Sequence, residues 1–182
     1  MPALDRPLSC SLVCRYNAYR FFVQSARRFP GETGKAFVPN EQIATTAKNQ
    51  MDCWLLASLQ TLIKTVHVEI GENYKLYNVA PPLVAYLEQI TNWYLRLNRD
   101  RLKGDGGEAD WHDALSTAYT VLLNMCIAMA PVTPFIVEHQ FQNLKRIAPK
   151  EMRVDSVHYL MMPQPIEVRK NEEFCVEKRG IL

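Results

Sequence analysis

Arg96, Arg99, Arg101 and Lys103 stand together with Asn92 and Trp93, and between residues 92 and 103 the sole acid is Asp100, a local balance of +3. Cations hold phosphate, side-chain amides bond base edges and an indole stacks on bases. The set therefore has the chemistry of a surface for single-stranded RNA. A solvated helix face is the competing reading of the line Asn92, Arg96, Arg99 and Lys103. Each member has its own alternative. Asn92 bonds a base edge or its own backbone, and Trp93 stacks on a base or packs beside the core. Arg101 falls on the apolar register, so it either reaches the ligand or snorkels past the end of the core.

No catalytic constellation accompanies these residues. His67, His112, His139 and His158 lie on different elements without the HExxH or HxGH context that places a metal or a phosphate. The glycines of Gly104-Asp-Gly-Gly107 follow a helical pattern and not a strand, which excludes a phosphate loop. Glu69 with Glu72 and Glu172 with Glu173 read as surface acids, and no pocket pairs them for acid–base work. This chain alone reads as non-catalytic, with no cofactor and no metal site of its own.

The chain of 182 residues, 48% hydrophobic, can bury one core. Its net charge of +2 excludes a general nucleic-acid coat but leaves room for local patches such as 92–103 and residues 1–48, the latter at +4. Five scattered cysteines (Cys10, Cys14, Cys53, Cys126, Cys175) complete no zinc site and are expected to be reduced, as in the cytoplasm. Neither a signal peptide nor a membrane-spanning run is expected, and so no membrane partner.

The elements that must position the basic residues follow from periodicity. Leu76, Ala80, Leu83, Leu87, Ile90, Tyr94 and Leu97 form an apolar seam at alternating spacings of three and four, predicting a helix from near Ala80 to Lys103, with Pro81 and Pro82 in its first turn. Before it, a helix over 11–29 has Leu12, Tyr16, Tyr19, Phe22, Val23 and Ala26 inward and ends at Pro30-Gly31. A patternless loop follows, then a helix capped by Asn49, lined by Met51, Trp54, Leu55, Leu59, Leu62, Ile63, Val66 and Ile70, and stopped near Gly71. After a flexible glycine turn, Asp110 is expected to cap a helix seamed by Trp111, Ala114, Ala118, Leu122, Met125 and Met129, broken at Ala130-Pro131. Thr133-Pro134 starts a last helix with Val137, Phe141 and Leu144 inside, closed by Pro149. Residues 156–163 read as an extended strap. The fold class is therefore all-α, an antiparallel bundle of about five helices. Residues 1–10 are expected as an irregular lead-in, 11–163 as the helical domain and 164–182 as a loose or weakly helical tail.

Several stretches stand together in a familiar order: RYNAYRFFVQ from Arg15, MDCWLLAS from Met51, YKLY from Tyr74, TNWYLRLNRDRLKG from Thr91, MAPVTPF from Met129 through Glu138 and Gln142 to Lys145, and SVHYLMMP from Ser156. Over roughly residues 15–163 the chain resembles the anticodon-binding domain of isoleucine–tRNA ligases of the eukaryote-like cytoplasmic type. Residues 1–14 and 164–182 carry no such resemblance, and the family usually has Trp where Arg15 stands.

The resemblance implies a bundle that grips the anticodon stem-loop of the tRNA for isoleucine. It also implies a parent enzyme that uses ATP and Mg to load isoleucine through a catalytic domain bearing His-x-Gly-His and Lys-Met-Ser-Lys-Ser motifs, none of which is in this chain. The candidate RNA-binding residues are Asn17, Arg20, Asn92, Trp93, Arg96, Arg99, Arg101 and Lys103. Asn17 and Arg20 join the set because related synthetases carry an Asn and an Arg near the anticodon on the corresponding helix. Tyr16 and Tyr19 are expected in the core. Expected partners are that tRNA and the parent's catalytic domain, with self-association on the apolar surface an isolated bundle exposes. A helical protein–protein or scaffolding module is the alternative function.

Overall fold

A computed structural model describes residues 8–147 and 154–166. Every patterned segment in that range is helical, and no strand occurs among the described residues. Helix α1 (Leu8–Thr33) turns its buried face, with Ala18, Tyr19, Phe22, Ala26 and Phe29, onto the bundle, while Tyr16, expected inside, is 46% exposed. The true register also buries Arg15.

Pro30-Gly31 does not end this helix. Pro30 lies at the solvent side of the last turn, where its missing N–H costs one bond and little packing. That turn closes through Thr33 Oγ1 donating to the Phe29 carbonyl (2.7 Å) and Gly34 N–H donating to the Pro30 carbonyl (2.9 Å). The stop comes at Gly34, whose φ of 70° suits a residue without Cβ.

The loop after α1 is less featureless than its sequence. Phe37 packs edge-on against Phe29 (centroids 5.9 Å apart), and Ile43 in the short α2 (Ile43–Thr46) is buried. Single apolar residues in a loop have no period to reveal them. Asn49 caps α3 (Gln50–Val66) by accepting from Met51 N–H at 2.9 Å. Beyond Val66 the helix does not stop but widens into a π turn, His67–Glu72.

Helix α4 (Ala80–Glu88) starts with its prolines in the first turn and passes into a second π turn, Gln89–Leu95. This turn corrects the predicted seam. Leu83, Leu87, Ile90 and Tyr94 are buried, but Leu97 is 63% exposed, and the core instead receives Asn98 and Leu102. A π turn houses one residue more than an α turn, so every later position is displaced by about one residue around the axis. At the other end Leu76 falls in a 3-10 turn before the helix and is half exposed.

A 3-10 turn, Arg101–Lys103, and Gly104 (φ 106°) lead to the central helix α5 (Glu108–Met129). All six predicted seam residues of α5 are buried. Asp110 does not cap it: Gly107 holds the N-cap position, and the Asp110 carboxylate turns to Arg101 instead. Thr133 and Pro134 open α6 (Pro134–Leu144), with Val137, Phe141 and Leu144 inside. The expected closure at Pro149 lies outside the described residues.

The strap is extended at Ser156 and Leu160 with one 3-10 turn between them. Ser156 Oγ and Val157 N–H both donate to Glu138 Oε2, at 2.9 and 3.0 Å, which fastens the strap to α6. The buried side chains form one core, with α5 at its centre between α1, α3 and α6.

Candidate RNA interface

The π turn and the 3-10 turn bracket the basic stretch and fix what each residue does. Asn92, Arg96 and Arg99 are exposed, and Trp93 is half exposed beside them. Lys103 is half exposed, with Nζ 3.9 Å from Asp100 Oδ1, a distance at which solvent weakens the pair.

Arg101 is arranged differently. Its Nη1 and Nη2 donate to Asp52 Oδ1 and Oδ2 at 3.2 and 3.0 Å, and its Nε and Nη2 donate to Asp110 Oδ2 and Oδ1 at 2.7 Å each. Nη1 also donates to Asn98 Oδ1 at 2.9 Å, so all five N–H groups of the guanidinium have partners. The group is a clasp joining the start of α3, the end of the α4 segment and the start of α5. That is the reason for its place on the seam register: the one-residue displacement sends Leu102 into the core and leaves Arg101 bridging the rim.

Burial alone would lower the Arg101 pKa, but the hydrogen bonds from Asp110 and Asp52 outweigh it and push it further up. Tyr94 donates to Asp52 Oδ1 at 2.7 Å, and burial, reinforced by the Asp52 charge, holds its phenol well above the usual range. Trp111 Nε1 donates to the Leu102 carbonyl at 2.8 Å and seats the turn from the α5 side. The Trp111 ring is close-fitted to the Gly104 backbone: a Cβ on Gly104 would come within 2.9 Å of the indole.

Asn17 and Arg20 are both exposed on α1, which packs alongside α4 and its π turn, with Ala18 and Phe22 against Ile90, Tyr94 and Leu95. On the helical wheel Asn17 falls on the flank towards α4. Arg20 points more directly outward, on the side of Tyr19, which is linked to Asn143 of α6. The two therefore border the α4 face to different degrees.

Asp52, Asn98 and Asp110 complete the clasp, and none was marked as a site residue from sequence. An acid or amide within an apolar helical pattern was the available signal. Arg15 was missed as a buried group. Its Nη1 and Nη2 donate to Met129 Sδ and Cys126 Sγ, both at 3.2 Å, and Nε finds no partner. Burial lowers the Arg15 pKa and raises that of the Cys126 thiol. Cys53 and Cys126 are reduced and buried, as expected of cysteines acting as small hydrophobes, and the Cys53 thiol donates to the Ala47 carbonyl at 3.2 Å. His67 is half buried within 2.9 Å of the Pro163 carbonyl oxygen, whereas His139 is exposed.

The helical bundle is that of a class defined by a family model, the anticodon-binding domain of tRNA ligase, which matches residues 52–180. The chain belongs to that family. Among its relatives, a probable cytoplasmic isoleucine–tRNA ligase of Dictyostelium discoideum is 51% identical over 152 residues, covering 84% of this chain and 14% of that protein. The cytoplasmic isoleucine–tRNA ligase of Mus musculus is 44% identical over 169 residues, covering 90% of this chain and 13% of that protein. An isoleucine–tRNA ligase of Clostridium novyi is 35% identical over 149 residues, covering 82% of this chain. The resemblance read from the sequence thus stands, and the chain spans only about one-seventh of the length of these relatives. No described helix is long and apolar enough to cross a membrane.

Proposed function

We propose that this chain binds the anticodon stem-loop of the tRNA for isoleucine, as the anticodon-recognition module of an isoleucine–tRNA ligase acting in the cytoplasm. The observation that carries the reading is the division of labour among the cations of residues 96–103. Arg101 is spent on holding three elements together, while Arg96 and Arg99 stand in solvent. Arginine's planar fork suits either a phosphate or the edge of a base. Asn92 and Trp93 supply an amide and an aromatic surface next to them, Lys103 a further cation, and Asn17 with Arg20 a second border from α1. Arg101 serves this site by fixing the helix end and not by touching RNA.

In the parent enzyme the module orients the tRNA while the catalytic domain consumes ATP with Mg to charge it with isoleucine. The test is titration of a labelled isoleucine anticodon stem-loop with this chain at several salt concentrations. Binding whose logarithm falls with the logarithm of salt, and which is weaker for the stem-loop of a different amino acid's tRNA, supports the reading. Salt-insensitive binding, or none, overturns it.

A further inference from the structure

Asp100 is the sole acid between residues 92 and 103 and stands among the cations. It lies four residues after Arg96, one after Arg99 and three before Lys103, so it shares the outer side of the helix end with them. Its side chain is 80% exposed. Among the described residues the carboxylate meets one group, Lys103 Nζ at 3.9 Å, which is beyond hydrogen-bond reach. Nor does it cap the 3-10 turn Arg101–Lys103 that it precedes.

The main chain of the same residue is held firmly. The Asp100 carbonyl accepts from Lys103 N–H at 3.0 Å and from Asp105 N–H at 3.2 Å. On either side, Asn98 and Arg101 belong to the clasp, and Leu102 is fully buried. A fixed backbone therefore presents a carboxylate without a duty in the described fold.

On a surface that grips phosphate, such a group works against affinity. The helical rise puts Asp100 about 6 Å or less along the axis from Arg96, Arg99 and Lys103, within the Debye length of about 8 Å at physiological salt, so its charge repels any phosphate those cations hold. What an ionised carboxylate contributes is selectivity. It is an acceptor only, so it can bond an amino or ring N–H group of a base and never a phosphate or a base carbonyl. Bases splayed out of a loop expose such donors on their Watson–Crick edges, and carboxylates accept from the cytosine amino group in the same way in DNA.

We infer that Asp100 reads the anticodon loop by accepting a hydrogen bond from the exocyclic amino group of one splayed base. This rests on the RNA-binding reading above and assigns within it a duty that arginine and lysine, being donors only, cannot perform.

A double-mutant cycle between protein and RNA tests the assignment. The RNA arm replaces bases in the loop of the isoleucine anticodon stem-loop, one at a time, by analogues without the amino group: purine for adenine, hypoxanthine for guanine, pyrimidin-2-one for cytosine. The protein arm compares the unaltered chain with Asp100→Ala and with Asp105→Ala, which removes the same charge from the exposed turn that follows. At one loop position the unaltered chain should bind the amino-bearing RNA about ten-fold more tightly than its analogue, and Asp100→Ala should bind the two within about two-fold. Asp105→Ala should keep the preference of the unaltered chain. If Asp100→Ala strengthens binding to every loop alike and keeps the preference, the residue is a bystander charge and the inference fails. Loss of the preference in both variants traces it to net charge and also overturns the inference, as does the absence of a preference at every loop position. An unaltered chain that binds no stem-loop overturns both this inference and the reading beneath it, whereas binding without coupling to Asp100 overturns this one alone.

Discussion

Arg101 meets Asp52 edge-on across 49 residues of sequence, with Nη1 and Nη2 at 3.2 and 3.0 Å from the two carboxylate oxygens. The Asp52 side chain is 1% exposed and that of Arg101 16%, so the pair works in a medium far less screening than water. Asp110, on the other edge of the guanidinium, is 37% exposed.

This asymmetry predicts unequal mutants. Asp52→Ala leaves both Arg101 and the Tyr94 hydroxyl short of a buried partner and should cost about 3–5 kcal/mol of unfolding free energy. Asp110→Ala, at the wetter edge, should cost about 1 kcal/mol or less, because water replaces the lost carboxylate. Urea unfolding of the two variants checks the order; equal losses would show that the two carboxylates share the load.

Arg96→Ala and Arg99→Ala should leave helix content and unfolding unchanged, since both side chains are in solvent. Each should weaken stem-loop binding, by about 1–3 kcal/mol for an arginine that reads a base, whereas one that contacts only phosphate should chiefly reduce the salt slope. Arg101→Ala separates position from contact: it should lower stability first and affinity as a consequence. Titrations paired with circular dichroism distinguish the two kinds of loss.

Glu138 makes the strap sensitive to acid. Burial alone would raise its pKa, but donors on Gln142, Val157 and Ser156 bond the ionised form and bring it below the ordinary glutamate value. A group whose folded pKa is depressed contributes in full above its unfolded pKa of about 4.3, and that contribution is lost as pH falls through the folded value. Strap attachment should therefore be constant near neutrality and weaken only in the acid range below it. Glu138→Gln should flatten the fall in urea midpoint between neutral and acid pH; an unchanged slope would refute the assignment.

Two glycines of one turn should respond differently to alanine. Gly104 has φ 106° and no room for a Cβ beside Trp111, whereas Gly107 has φ 93° and open space. Gly107→Ala should cost about 1 kcal/mol from backbone strain, and Gly104→Ala distinctly more, because the indole must also shift. Thermal unfolding with Trp fluorescence follows both effects.

Helix positions were legible in the sequence because apolar period and caps are local signals: Asn49, the Pro81-Pro82 start and the α5 seam all appear where they were read. Failures came where a backbone irregularity or a distant partner decides. Nothing local announces the π turn that exposes Leu97 and buries Asn98. Asp110 has the chemistry of an N-cap, but an arginine nine residues earlier outcompetes the backbone for it. Pro30 was read as a stop when its position on the water side of a final turn made it tolerable. For the candidate site, the residue types were readable but not their duties, since both carboxylates of the Arg101 clasp come from other helices, Asp52 from α3 and Asp110 from α5.

The π turn at Gln89–Leu95 also makes the basic end of α4 a matter of phase. Were the turn to close as an ordinary α turn with no residue removed, everything downstream would rotate by roughly 100°. Leu97 would swing under the bundle, Asn98 would come to the surface, and the Arg101 guanidinium would leave its two carboxylates while Arg96 and Arg99 turned to another bearing. Deleting one residue inside the turn would instead let it close as α with Asn98 and Leu102 still in the core, so the presented face is encoded as much by residue count as by residue identity.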